Sequence, residues 1–244
     1  MKFTLIGTGI AFDLTELGME ELKKCDEIYI EAYTLPMEKE KIAELEKRLD
    51  KKINLLERES IESDFLVKRA KEKRIALLCG GDPLTATTHS ALLIDMKKAK
   101  IETLVIHNSS IFVAAAGKCG LQIYKFGKTA SIATPREKYK PDSWFNLIKE
   151  NLERGAHTLV LLDTQPEPME AKLGLELIKK TDTEEFLTNK SIAVLSRIGE
   201  KDEKINYGKI EELLTKVDQL GKSPFAIIVP GKLHFLEEEF LESL

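Results

Sequence analysis

The chain has 244 residues, 43% of them apolar, with three cysteines and a formal net charge of −4. That apolar fraction supports a packed core and excludes a disordered chain, and the length suits two smaller α/β domains better than one core. The acidic balance argues against a surface that holds a nucleic-acid backbone by charge, and no apolar run approaches the ~18–20 residues of a membrane span.

Strand and helix patterns alternate from the start. KFTLI (2–6) reads as a buried strand that ends in Gly7-Thr8-Gly9, and TELGMEELKKC (15–25) as a helix with Thr15 as N-cap. EIYIEAY (27–33) has strand alternation, and EKEKIAELEKRLDK places Ile42, Leu45 and Leu49 on one face of a surface helix. INLL (53–56) is a short strand, DFLVKRAKEK (64–73) a helix capped by Asp64, and IALLC (75–79) a strand that stops at Gly80-Gly81-Asp82-Pro83. TTHSALLIDMKKAK (87–100) follows as a helix and ETLVIH (102–107) as a strand. The alternation predicts a parallel sheet with helices on its faces.

After His107 the pattern restarts. SSIFVAAAGKCG (109–120) reads as a helix with Ser109 or Ser110 as cap and a glycine stop, followed by the strand GKTASIATP. DSWFNLIKENLERG (142–155) is an amphipathic helix capped by Asp142 and stopped at Gly155. Strands TLVLLD (158–163), SIAVLSRI (191–198) and FAIIVPG (225–231) alternate with helices EAKLGLELIKKT (170–181), IEELLTKV (210–217) and a short C-terminal helix. The expected division is residues 1–108 and 109–244, each an α/β domain.

Two glycine turns stand out as candidate sites. Gly7-x-Gly9 lacks the third glycine of a dinucleotide fingerprint, and no GxxxxGK[ST] loop is present. Gly80 and Gly81 permit positive φ and close backbone approach, and Asp82 either contacts a ligand, caps the next helix or holds its own turn. Each turn alone is as well explained by a tight connection. Together they lie at the carboxyl ends of expected parallel strands, the side on which open α/β sheets bind ligands. Asp163, at the end of another strand, either faces a cleft or caps the next segment. The histidines, His89, His107, His157 and His234, have no metal-ligand spacing and read as hydrogen-bonded core or surface residues, so no metal is expected. No G-x-S-x-G elbow is present, and no catalytic base can be named. The three cysteines, with no C-x-x-C pair, point to a reducing, cytoplasmic compartment, and the N-terminus is charged too early for a secretory signal.

Read in order, GTGIAFDLT, CDEIYIEAYT, GGDPLTATTH, VIHNSSIFVAAAG, GLQIYKFGKTASIATP, HTLVLLD and VPGKLHFLEEEFL resemble the diphthine synthase family, within the tetrapyrrole-methylase-like class of adenosylmethionine-dependent methyltransferases. The resemblance runs nearly end to end. It implies two α/β domains with S-adenosyl-L-methionine in the cleft between them, usually in a homodimer. It also implies cofactor contacts at Ile10, Asp82, Thr85, Ser110, Ile111, Leu162, Ile198 and Phe225. Two positions depart from the family: Phe225 stands where relatives often carry histidine, and Thr85 where valine is common. The implied acceptor is the amino group of a modified histidine on translation elongation factor 2, methylated toward diphthine, and TPREKYKPDSW (134–144) is either a docking segment or a plain surface loop. A cofactor with no phosphate accords with the missing phosphate motifs. Two alternatives remain: a methylase of the same fold acting on a corrin-type tetrapyrrole or on ribosomal RNA, and a non-catalytic protein that senses adenosylmethionine.

Overall fold

Apolar runs become strands and amphipathic runs become helices largely in the order set out by the sequence. The structure is a computed structural model, and it describes residues 2–31, 33, 38–136, 141–165, 167–187 and 189–244. The chain divides into two units, Met1–Ser110 and Ile111–Leu244.

The first unit runs β1 (Lys2–Gly7), α1 (Glu16–Lys24), β2 (Glu27–Glu31), α2 (Lys39–Leu49), β3 (Ile53–Leu56), α3 (Arg58–Ile61), α4 (Phe65–Glu72), β4 (Ile75–Cys79), α5 (His89–Lys98) and β5 (Glu102–Ile106). Its five strands lie in the order β3-β2-β4-β1-β5, all parallel. Both faces of this sheet are covered, which is why its strands read as unbroken apolar runs. Successive residues of β4 serve opposite cores. Ile75, Leu77 and Cys79 join Phe3, Leu5, Leu66 and Met96 on one side, and Ala76 and Leu78 join Ile6, Leu22, Ile28 and Leu45 on the other. Thr15 caps α1 by accepting from the Gly18 amide at 3.1 Å. Asp64 does not cap α4: its φ of −80° and ψ of 3° are not the extended geometry that a cap needs, and its carboxylate pairs with Lys68 at 2.8 Å. The strand expected over 27–33 ends at Glu31, and Ala32 lies outside the described residues.

The second unit runs α6 (Ile111–Lys118), a 3-10 turn (Ile123–Lys125), β6 (Ala130–Ile132), α7 (Ser143–Glu153), β7 (Thr158–Leu162), α8 (Ala171–Thr181), β8 (Ser191–Ser196), β9 (Lys204–Lys209), α9 (Ile210–Thr215), a 3-10 turn (Val217–Gln219), β10 (Phe225–Val229) and α10 (Phe235–Glu242). Its sheet has the order β6-β7-β10-β8-β9 and is mixed, so the expected parallel pattern does not extend here. β6 and β7 are parallel, whereas β10 is antiparallel to both its neighbours and β8 is antiparallel to β9. An apolar run such as FAIIV signals burial on both faces but carries no information about direction. The edge strand β9, KINYGK, went unread because it has no apolar run; its lysines and half-exposed positions suit a sheet edge. α7, α8 and α9 pack one face of the sheet through Trp144, Ile148, Leu175, Ile178 and Leu213. Asp142 occupies the first position before α7 without a side-chain cap bond.

The C-terminal helix α10 is stitched on by one carboxylate. Glu237, 2% exposed, accepts from the Gln122 amide at 3.1 Å and the His234 amide at 2.8 Å, and pairs with Lys125. His157 is fully buried, accepts at Nδ1 from the Gly231 amide at 2.9 Å, and turns Nε2 toward Glu237 at 3.5 Å. Burial alone would raise the Glu237 pKa, but Lys125, the two amides and His157 bring it down to about 2 from 4.5. A carboxyl group lowered in this way contributes stability above its unfolded value, which is lost as pH falls from about 4.5 toward 2. In thermal melts, Glu237→Gln is therefore expected to be less stable than wild type at pH 7, and the difference is expected to shrink by pH 2.5. A difference that does not change with pH would show that the charge contributes nothing.

Candidate functional site

The carboxyl ends of β1, β4 and β5 lie side by side in the first sheet and lead into three polar turns. The turn after β1 and the turn after β4 are joined by backbone. The Gly9 amide donates to the Gly81 carbonyl and the Gly81 amide to the Gly9 carbonyl, each at 3.1 Å. Small residues are required for this approach. A Cβ on Gly7 would lie 2.5 Å from the Gly81 carbonyl oxygen and 2.8 Å from Pro83 Cδ, and a Cβ on Gly9 would strike the Asp13 carboxylate. Gly9 and Gly81 also have φ of +72° and +68°. At Gly81 the space is different: among the described residues a Cβ there would have only the Ser109 carbonyl within 4 Å, at 3.8 Å. One side of this turn is therefore open to an approaching group.

The turn after β5, His107-Asn108-Ser109, fastens the other two. Asn108 donates from Nδ2 to the Gly7 carbonyl at 3.0 Å and the Asp13 carbonyl at 2.9 Å. Ser109 Oγ accepts from the Ile10 amide at 3.1 Å. Asp82 is held by protein groups on both oxygens. Oδ1 accepts from the Leu84 amide and the Thr85 hydroxyl, each at 3.0 Å, while Oδ2 faces His107 Nδ1 at 2.7 Å and accepts from the Asn108 amide at 3.4 Å. Burial pushes its pKa up, but these hydrogen bonds outweigh burial and hold it below the ordinary value. Asp82 thus closes its own turn and links that turn to the end of β5. The sequence alone leaves this role open and does not name the partners His107 and Asn108. The signal was the short polar run HNSS placed directly after an apolar strand.

In the second unit three expected contact residues sit at one end of its sheet. Leu162 ends β7, Ile198 follows β8, and Phe225 begins β10, whose register pairs Phe225 with Ser196 and Ala226 with Leu161. All three carry apolar side chains and are buried, at 6%, 5% and 7% exposure. Asp163 at the same end accepts from the Thr134 amide at 2.9 Å and the Gln165 amide at 3.2 Å, so it ties β6 to the segment after β7. Ser110 immediately precedes α6 and Ile111 is its first residue. Part of the segment 134–144 lies outside the described residues, at 137–140.

Three of the six described non-glycine residues with positive φ lie beside these turns, and Asp50, Lys100 and Glu185 lie elsewhere. Non-glycine residues with positive φ include Phe12 after the first turn, Ala86 after the second, and Arg197 at the end of β8, at 60°, 56° and 48°. Each costs on the order of 1–2 kcal/mol, and strain of this kind gathers where a ligand clamp must keep one shape.

Residues 2–214 match the family of tetrapyrrole (corrin/porphyrin) methylases. The chain belongs to the tetrapyrrole methylase family. It is similar to the diphthine synthase of Methanocaldococcus jannaschii, 41% identical over 243 residues that cover 95% of this chain and 93% of that protein. The diphthine synthase of Methanococcus aeolicus is 40% identical over 241 residues, with 95% and 93% covered. A crystal structure of diphthine synthase superposes with a TM-score of 0.91 at 34% identity, covering 100% of this chain and 95% of that one. Within the tetrapyrrole methylase family, this chain is a methyltransferase of the diphthine synthase group.

For this methylase the joined glycine turns give a direct stability test. Gly7→Ala must push the Gly81 carbonyl aside, and crowding of that kind costs roughly 1–3 kcal/mol. Denaturant melts are expected to show a loss in that range, and wild-type stability would mean that the two turns are free to separate.

Proposed function

We propose that this methyltransferase uses S-adenosyl-L-methionine to methylate the amino group of the modified histidine on translation elongation factor 2, in the route to diphthamide. The observation that carries this reading is the set of preformed turns at the ends of β1, β4 and β5. They offer backbone at close range with one open side at Gly81, and they have neither of the familiar phosphate-cradling glycine loops. A nucleoside with a charged amino-acid tail and no phosphate suits such a surface. The names of the similar proteins favour elongation factor 2 over a corrinoid as acceptor.

Ile10, Asp82, Thr85 and Ser110 of the first unit are the proposed cofactor contacts there, with Asp82 acting through the shape that it gives the turn. Ile111, Leu162, Ile198 and Phe225 of the second unit are proposed to contribute apolar contact and backbone. When bound, the cofactor supplies a methyl group already activated on its sulfonium. The chain's task is then to align the acceptor nitrogen in line and to exclude water, which is worth about 7–11 kcal/mol in well-oriented reactions. The acceptor ammonium would first have to give its proton to water or to a carboxylate, since the freed lone pair makes the N–C bond while the C–S pair would leave with adenosylhomocysteine. A homodimer in the cytoplasm belongs to the same proposal; among the described residues no helix is long and apolar enough to cross a membrane.

Labelled methyl transfer tests the reading. Purified elongation factor 2 carrying the histidine modification is expected to take up methyl groups with matching release of adenosylhomocysteine. Incorporation into a corrinoid precursor instead, or cofactor binding without turnover, would overturn it.

Two variants test the cofactor turn by calorimetry with adenosylhomocysteine. Gly81→Val places a β-branched residue at a φ of +68°, where such residues are outliers, and Asp82→Ala removes the hydrogen bonds that close the turn. Each is expected to weaken binding about tenfold or more, about 1.4 kcal/mol. Unchanged affinity in both would remove this turn from the site.

A further inference from the structure

Beneath the turn after β4 lies a buried group of three side chains that the proposed reaction does not use. Glu31 at the end of β2, Cys79 at the end of β4 and His89 at the start of α5 bring their polar atoms within 4.8 Å of one another. They are 0%, 1% and 1% exposed. We propose that His89 is a positioning residue for the cofactor turn: with Glu31 it forms a buried imidazolium–carboxylate pair that grips the Pro83 carbonyl. This inference rests on the reading of that turn as the cofactor site.

The protonation follows from the partners. Nδ1 of His89 lies 2.9 Å from the Pro83 carbonyl oxygen, which can only accept, so Nδ1 carries a hydrogen. The Thr87 hydroxyl, 3.0 Å away, shares the same nitrogen. Nε2 lies 3.0 Å from Oε2 of Glu31 but is not aligned with it as a hydrogen bond, and Nε2 and both Glu31 oxygens are otherwise buried without a hydrogen-bond partner among the described residues. In a neutral ring Nε2 would then turn a lone pair toward a carboxylate, two acceptors at hydrogen-bond range in a dry interior. A second ring proton removes that conflict. Burial disfavours the cation, but the Glu31 carboxylate beside the ring and the Pro83 carbonyl outweigh that cost and raise the pKa of His89. A cation at the first position of α5 also opposes the helix dipole, so its existence depends on Glu31. The Tyr33 hydroxyl faces the same carboxylate, its pKa raised by burial and then by Glu31.

The ligand types in this group also suit zinc. Among the described residues the group offers three ligands, one short of a closed structural zinc site, and it is buried away from the water or substrate that fills the open position of a catalytic one. A proton, rather than a metal, therefore joins Glu31 to His89.

The pair is well placed to matter. Pro83 follows Asp82 in the turn, and its ring lies against Gly7 of β1. Proline has no amide hydrogen, so at this residue the backbone can be held only by its carbonyl. His89 provides that hold from below while Asp82 closes the turn from its own side.

The test combines ring-nitrogen NMR with binding. In the wild-type chain labelled with 15N-histidine, at pH 8, one of the four histidines is expected to carry hydrogen on both ring nitrogens. Its signal should vanish in His89→Gln and move to the neutral form in Glu31→Gln. Glu31→Gln keeps the side-chain shape. Relative to wild type it is expected to raise the KM for adenosylmethionine and the Kd for adenosylhomocysteine about tenfold, with kcat at saturating cofactor within about threefold. A neutral His89 in the wild type would overturn the proposal, as would one zinc per chain retained by the purified protein. A His89 ring that turns neutral in Glu31→Gln by loss of its Nε2 proton, with no change in cofactor affinity, would overturn the positioning role. A wild-type chain that binds no adenosylhomocysteine would instead defeat the cofactor reading, while the NMR signature still decides the pair.

Discussion

Two hydrogen bonds between Gly9 and Gly81, each 3.1 Å long, tie the end of β1 to the end of β4. Everything at this end of the first sheet follows from that link. It forces glycine at Gly7, where the Gly81 carbonyl occupies the space of a side chain, and it brings Pro83 against β1. It also leaves one flank of Gly81 uncovered. The turns therefore serve first as structure for each other and second as a surface for a ligand. The positive φ of Phe12 and Ala86 beside the link is strain that the surrounding bonds hold in place.

Charge does a parallel job around this link. Asp82 joins the second turn to the third through His107 and Asn108. Glu31 and His89 sit beneath it and hold the Pro83 carbonyl. In the second unit Glu237 plays a comparable role for α10, collecting two amides and Lys125 on one buried carboxylate. Asp82 and Glu237 are carboxylates surrounded by donors, whereas Glu31 faces the His89 ring in a dry interior. These arrangements fix loops whose backbone cannot be satisfied by a sheet ladder.

Much of this was legible in the sequence. β4 showed as IALLC because both faces of its sheet are covered, and the helices showed through apolar spacing, as in Leu45 and Leu49 of α2. The glycine turns showed at the strand ends. What could not be read was pairing across the chain. FAIIV gave burial without direction, so the antiparallel seat of β10 between β7 and β8 was invisible. β9 lacked any run to mark it. His89 and His107 looked like ordinary histidines because their partners, Glu31 and Asp82, lie far away in sequence and meet them only through the parallel sheet.

Amide hydrogen exchange, with and without adenosylhomocysteine, tests the central claim most directly. The account predicts that the amides of Gly9 and Gly81 exchange slowly in the free chain, and that the ligand adds protection at residues 82–85 and 109–111. Exchange of Gly9 and Gly81 at the rate of open loops, or ligand protection confined to other segments, would contradict it.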